Sequence, residues 1–136
     1  MPERLVLDSF ALMALFRNEP SAPHVEALLE KASKGECELF MSVVNLGEVA
    51  YTLEIRQGLQ AAKEAVAAID QAPIEVVDVD RTLTLAAARL KATTGVGYAD
   101  CFAAALAQHL DATVLTGDLD FQRLEPAVTV EWLAAG

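Results

Sequence analysis

Carboxylates placed where a chain should bury only hydrocarbon constrain this sequence more than anything else in it. The densest example is GYADCFAAALAQHLDATVLTGDLD, from Gly97 to Asp120. There a helix begins on Asp100, a short β-branched strand runs from Thr113 to Leu115, and a turn opens on Asp118 and Asp120. Asp8 and Glu48 sit in equally apolar settings elsewhere. Burying an ionised acid is expensive unless it is paired, hydrogen-bonded or bound to metal. The expectation is that these acids meet in space and hold a divalent cation.

The rest of the chain supplies a frame on which they could meet. Residues 4–7 (RLVL) read as a buried strand with Asp8 at its carboxyl end. Phe10 to Phe16 reads as a short helix, apolar all round and therefore buried. Val25, Leu28, Leu29 and Ala32 mark an amphipathic helix closed by Gly35. Glu38–Met41 is a second strand, and Ser42 caps a helix from Val43 to Gln57. In that helix Glu48 lies on a stripe with Val44, Tyr51 and Ile55. Val43, Leu46, Ala50 and Leu53 form a second apolar face, so the helix is expected to be buried on two sides.

Gly58 ends that helix. Leu59, Ala62, Val66 and Ile69 mark the inner face of an antiparallel neighbour. A strand at Ile74–Val77 follows, then a helix capped by Asp80 with Leu83, Ala86, Ala87 and Leu90 inside. Thr93–Gly97 is a loop, and Val128–Val130 is expected as the last strand. Strands alternating with helices predict one α/β domain over residues 1–136, a three-layer sandwich with a mainly parallel central sheet and helices on both faces. Ligands of such sheets bind outside the carboxyl ends of the strands, the edge that Asp8, Glu48, Asp100 and Asp118 can all reach.

Hard cations such as Mg2+ and Mn2+ take oxygen ligands, whereas zinc sites favour nitrogen and sulfur. His24 and His109 are far apart, and Cys37 and Cys101 have no metal-binding or redox spacing, so the cysteines read as core thiols in a reducing compartment. The apolar run LVLDSFALMALF is too short to span a bilayer and contains Asp8; the expectation is a cytoplasmic protein with no membrane partner. Twenty acids against ten bases give a net charge of −10. That balance disfavours a general phosphate-backbone binder. A nucleic-acid substrate would need bound metal and a local basic patch, and a basic protein partner would suit the remaining surface.

Each acid has an ordinary alternative. Asp8 could cap the helix after it, and Asp100 could be a first-turn acid favoured by the helix dipole. Glu48 could pair with Arg56 or Arg81. Asp118 and Asp120 could be turn residues only. Each is ambiguous alone; the set points to metal.

With those positions in hand, the chain resembles the PIN-domain family, and within it the VapC-type toxins of toxin–antitoxin systems. LVLDSFALMALF, MSVVNLGEVAYTL, GYADCFAAALAQHL and ATVLTGDLDF carry the resemblance, in the family's order and over nearly the whole chain. It implies a parallel sheet between helices and an Mg2+- or Mn2+-dependent endoribonuclease. Carried over by position, Asp8, Glu48, Asp100 and Asp118 match the family's acids. Ser9 and Thr116 match its adjoining hydroxyls, Asp120 its frequent extra acid, and Asn45 a small polar position one helical turn before Glu48. The resemblance further implies an RNA substrate, a homodimer, and a cognate antitoxin whose tail occupies the active-site groove. The expected reaction is hydrolytic. One or two ions on Asp8, Asp100 and Asp118 would place the phosphate and activate water, with Glu48 binding the second ion or orienting that water. Arg17, Lys34, Arg56 and Arg123 are candidate phosphate contacts.

Three other readings fit less well. A haloacid-dehalogenase-type phosphatase needs a second Asp two residues after the first, where this chain has Phe10. A receiver domain needs paired acids on the first strand and a late Lys. The reading from another class is a catalytically idle PIN-like module that binds protein, which the acidic surface would suit.

Overall fold

Successive side chains along a strand point to opposite faces of its sheet, and the first strand buries both sets. Leu5, Val6 and Leu7 are all fully buried, so helices must cover both faces. The computed structural model describes residues 2–134. Met1, Ala135 and Gly136, which the expected domain includes, lie outside the described residues. Five strands form one sheet: β1 (Glu3–Leu7), β2 (Cys37–Ser42), β3 (Ile74–Val77), β4 (Thr113–Thr116) and β5 (Val130–Trp132). Their order is β3-β2-β1-β4-β5, and every pairing is parallel.

The helices are α1 (Ser9–Phe16), α2 (Ala22–Ser33), α3 (Val43–Gln57), α4 (Leu59–Gln71), α5 (Arg81–Thr94) and α6 (Tyr98–Leu110), with a 3-10 turn at Leu119–Arg123. Leu5, Leu7, Leu39, Met41 and Leu115 pack with α1, α2, α3 and α4 on one face. Val6, Phe40 and Val114 pack with α5 and α6 on the other. Every residue of α6 from Cys101 to Ala107 is buried, and its run of alanines lets the helix lie close to the sheet. Cys37 and Cys101 are buried free thiols, as expected. No helix among the described residues is long and apolar enough to cross a membrane.

The strand order positions the site. From β1 the chain steps outward through β2 to β3, then returns to place β4 on the other side of β1. The direction of winding therefore reverses between β1 and β4, where an open α/β sheet leaves a crevice at its carboxyl edge. Leu7 is paired with Leu115, so the next residues along, Asp8 and Thr116, meet at that edge.

Three local expectations are corrected. The last strand begins at Val130, not Val128. Val128 N donates back to Leu124 O at 3.0 Å, in a turn, and Val114 N first meets the incoming strand at Thr129 O. The helix α3 is buried on one side only: Val49 and Leu53 enter the core, while Tyr51 and Ile55 are 56% and 80% exposed. In α4 the inner residues are Ala62, Ala65 and Ile69, and Leu59 is exposed. Both helices carry more apolar surface than one contact can cover.

Candidate metal centre

Asp8 follows β1 directly and is almost completely buried. Its Oδ1 accepts from Ala11 N at 3.1 Å, capping α1. Its Oδ2 accepts from the Thr116 hydroxyl at 2.5 Å. Burial pushes the Asp8 carboxyl up to about 7; the bonds from Thr116 and Ala11 act in the opposite direction, and the charges of Asp118 and Glu48 add to the rise. The capping and metal-site readings of Asp8 are thus compatible. One oxygen starts a helix, and the whole group stands at the switch point.

Thr116 does a second job. Its Oγ1 accepts from Asp118 N at 3.0 Å, so one hydroxyl joins the acid after β1 to the acid after β4. Asp118 in turn accepts from Asp120 N at 2.9 Å and opens the 3-10 turn. Between them, Gly117 lies against Phe10, where an added Cβ would come within 2.4 Å of the ring. The absence of a side chain at residue 117 is what lets α1 close against this loop.

Asp100 enters from the first turn of α6. Burial pushes its carboxyl up to about 8, and the charges of Asp118, Asp8, Glu48 and Asp120 push the same way. One oxygen each from Asp100, Asp118 and Asp120 lie within 4.8 Å of one another. Glu48, half-buried, accepts a short hydrogen bond from the Ser9 hydroxyl. Among the described residues neither Arg56 nor Arg81 pairs with it, so the arginine explanation for Glu48 fails. Asn45 is fully buried one turn earlier on α3 and donates to Ala99 O at 3.2 Å, tying α3 to the start of α6. Its Oδ1 has no partner among the described residues.

These donors are all oxygen, and three carboxylates gather without a buried base to neutralise them. That is the donor set of a hard divalent ion. Oxygens on opposite sides of an Mg2+ ion stand about 4.2 Å apart, close to the spread of the Asp100, Asp118 and Asp120 oxygens, so the set fits such an ion. Asp120, expected as an extra acid, stands with Asp100 and Asp118, whereas Asp8 and Glu48 flank that trio.

The four candidate phosphate contacts separate. Arg17 and Arg56 line a groove of about 280 Å³ shared with Ser9, Glu48 and Asp118. Arg123 donates to Thr94 O at 3.1 Å and pairs with Asp120 at 3.6 Å, which pins the loop before Asp100. Lys34 caps the far end of α2, just before β2 begins, and pairs with Glu30. It therefore sits at the amino edge of the sheet, away from the acids.

A family model for the PIN domain matches residues 5–125. The chain belongs to the PIN domain family. Ribonuclease VapC30 of Mycobacterium tuberculosis is 29% identical over 130 residues, covering 90% of this chain and 96% of that protein. Solved PIN-like structures share the fold at lower identity. The chain is similar to VapBC2 from Rickettsia felis, bound to a DNA fragment from its promoter, with a TM-score of 0.75 at 17% identity over 96% of this chain and 99% of that one. It is also similar to the sarcin–ricin loop cleaving toxin VapC20 of M. tuberculosis, with a TM-score of 0.73 at 18% identity, covering 88% and 94% of the two chains. Within this PIN domain, the residues that sequence reasoning missed are Phe10 and Gly117. The signal was the glycine between Thr116 and Asp118, in contact with the aromatic ring two residues after Asp8.

Proposed function

We propose that this PIN domain is a metal-dependent endoribonuclease, the toxin of a VapBC-type toxin–antitoxin pair acting in the cytoplasm. The observation that carries the reading is the meeting of the Asp100, Asp118 and Asp120 oxygens beside buried Asp8 at the switch point of the sheet. Asp8, Asp100 and Asp118, with Asp120 beside them, would hold Mg2+ or Mn2+. Held by these residues, such an ion would supply an activated water and would offset charge building on a phosphoryl oxygen.

The chain's own residues do the rest. Thr116 fixes the Asp8 carboxylate through Oδ2 and holds the backbone that presents Asp118. Ser9 orients Glu48, which stands half-open at the rim where it can accept a proton from the attacking water. Asn45 holds the Ala99 carbonyl next to Asp100 and so sets the start of α6. The products would carry 5′-phosphate and 3′-hydroxyl ends.

An antitoxin partner is supported by the VapBC complexes among the similar structures. Tyr51, Ile55 and Leu59 form an exposed apolar stretch along α3 and the start of α4, and we assign it to protein contact, in the first instance a homodimer. Exposed apolar patches of this kind mark interaction surfaces.

The test is cleavage of a mixed RNA pool by the purified chain in Mn2+ or Mg2+, with EDTA and Asp100→Asn as parallel controls. Cutting that disappears in both controls is the expected result. A chain that gains thermal stability with Mn2+ yet cuts no RNA would instead be the idle protein-binding module.

A further inference from the structure

In a chain with a net charge of −10, the placement of each arginine is informative. Arg17 closes α1 and Arg56 lies in the last turn of α3. Both line the groove that also holds Ser9, Glu48 and Asp118, and Phe10 forms part of the same wall. Arg56 has no hydrogen-bond or ion-pair partner among the described residues, although Glu48 lines the same groove. Arg17 makes one loose pair, at 3.6 Å to Glu19. An arginine recruited to neutralise the acids would pair with them. Arg56 leaves its whole fork free and Arg17 is engaged only by the 3.6 Å pair with Glu19 on the same groove, and guanidinium forks match the oxygens of a phosphate.

Phe10 adds an apolar wall. Its ring lies against Gly117, close enough that a methyl group there would collide with it. At about 280 Å³ the groove lies near the lower bound for small-ligand sites. That volume suits one splayed-out nucleotide, the form in which single-stranded RNA offers its bases to aromatic side chains.

We propose that this groove is a subsite for one unpaired nucleotide next to the scissile phosphate, with Arg17 and Arg56 binding the flanking phosphate and Phe10 contacting the base or sugar. The proposal rests on the ribonuclease reading above. It separates Arg17 and Arg56 from Lys34 and Arg123, which the fold engages elsewhere.

The experiment is steady-state cleavage of a single-stranded RNA by the Mn2+-loaded chain across a range of KCl concentrations. Wild type is compared with Arg17→Gln, Arg56→Gln, Arg56→Lys and Lys34→Gln. Arg56→Gln should raise KM roughly ten-fold with little change in kcat, and each Gln substitution in the groove should flatten the salt dependence by about 0.7 in log–log slope, the value for one contact to a single strand. Arg56→Lys should retain the wild-type slope, and Lys34→Gln should match wild type throughout. Placing the cleavage site within a duplex should abolish cutting. Groove variants with wild-type KM and salt slope would overturn the subsite while leaving the ribonuclease reading intact, as would equal cutting of the duplex. No cleavage by the wild-type chain would overturn the ribonuclease reading itself, and the subsite with it.

Discussion

The Thr116 hydroxyl donates to Asp8 across 108 residues of sequence, at 2.5 Å and with both side chains buried. The same oxygen accepts from the backbone of Asp118. The acids after β1 and β4 are therefore held in one hydrogen-bonded unit before any cation arrives. Thr116→Val keeps the shape and removes the donor, leaving a buried carboxylate oxygen unsatisfied. Such a group costs about 1–3 kcal/mol. Thr116→Val should lower the midpoint of chemical denaturation accordingly and weaken Mn2+ binding measured by calorimetry, while Thr116→Ser should recover most of both. Equal midpoints for Val and wild type would mean that the bond contributes nothing.

The raised carboxyls of Asp8 and Asp100 set a pH dependence whose sign can be worked out. An unfolded Asp titrates near 3.8, while in the folded chain these groups are pushed up to about 7 and about 8. Between those values the folded state binds more protons than the unfolded one, so stability falls as pH rises. The metal-free chain should be most stable near pH 4–5 and lose stability steadily toward pH 8. Asp100→Asn should flatten that slope and leave the metal-free fold as stable as wild type or more so at pH 8, while abolishing activity. Denaturation in EDTA at several pH values measures this; stability rising from pH 5 to 8 would contradict it.

Metal should reverse that trend. Cation binding requires these carboxyls deprotonated, so Mn2+ affinity should climb between pH 6 and 8 and protons should be released on binding. Calorimetry in two buffers of different ionisation enthalpy counts them. Binding with no proton release near pH 7 would remove Asp8 and Asp100 from the set of ligands.

Gly117 and Phe10 form a steric pair. Gly117→Ala should destabilise the chain by about 1–3 kcal/mol, as overpacking does, and Phe10→Ala should cost stability by opening a gap. Because the three atoms nearest the added methyl all belong to the ring, the double variant should be more stable than the sum of the single costs allows. A double-mutant cycle reads that coupling directly, and strict additivity would mean that the ring simply swings aside.

Ile55 is 80% exposed, so Ile55→Glu should change the stability of the folded chain by no more than about 0.5 kcal/mol. Its effect should appear in assembly. Sedimentation of wild type and variant at the same concentration should show a dimer reduced to monomer, and an unchanged mass would place the homodimer contact on another surface.

The sequence by itself determined the alternation of strands and helices, the caps at Asp8, Ser42 and Asp80, and the positions of Asp8, Asp100 and Asp118 at element ends. Those features depend on neighbours a few residues away: hydrophobic period, turn chemistry and side-chain caps act locally. Only the tertiary structure decided which groups meet. That Asp120 joins Asp100 and Asp118, that Ser9 and not an arginine holds Glu48, and that Arg17 and Arg56 share a groove all depend on how helices dock against the sheet. The apolar pattern of α3 permits two inward faces, and contact with α1, α4 and α6 chose Val49 and Leu53 over Tyr51 and Ile55. Likewise Val128 is apolar enough for a strand, but pairing of Val114 with Val130 set where β5 begins. Local propensity proposes elements; long-range register and packing choose which of their faces and side chains come together.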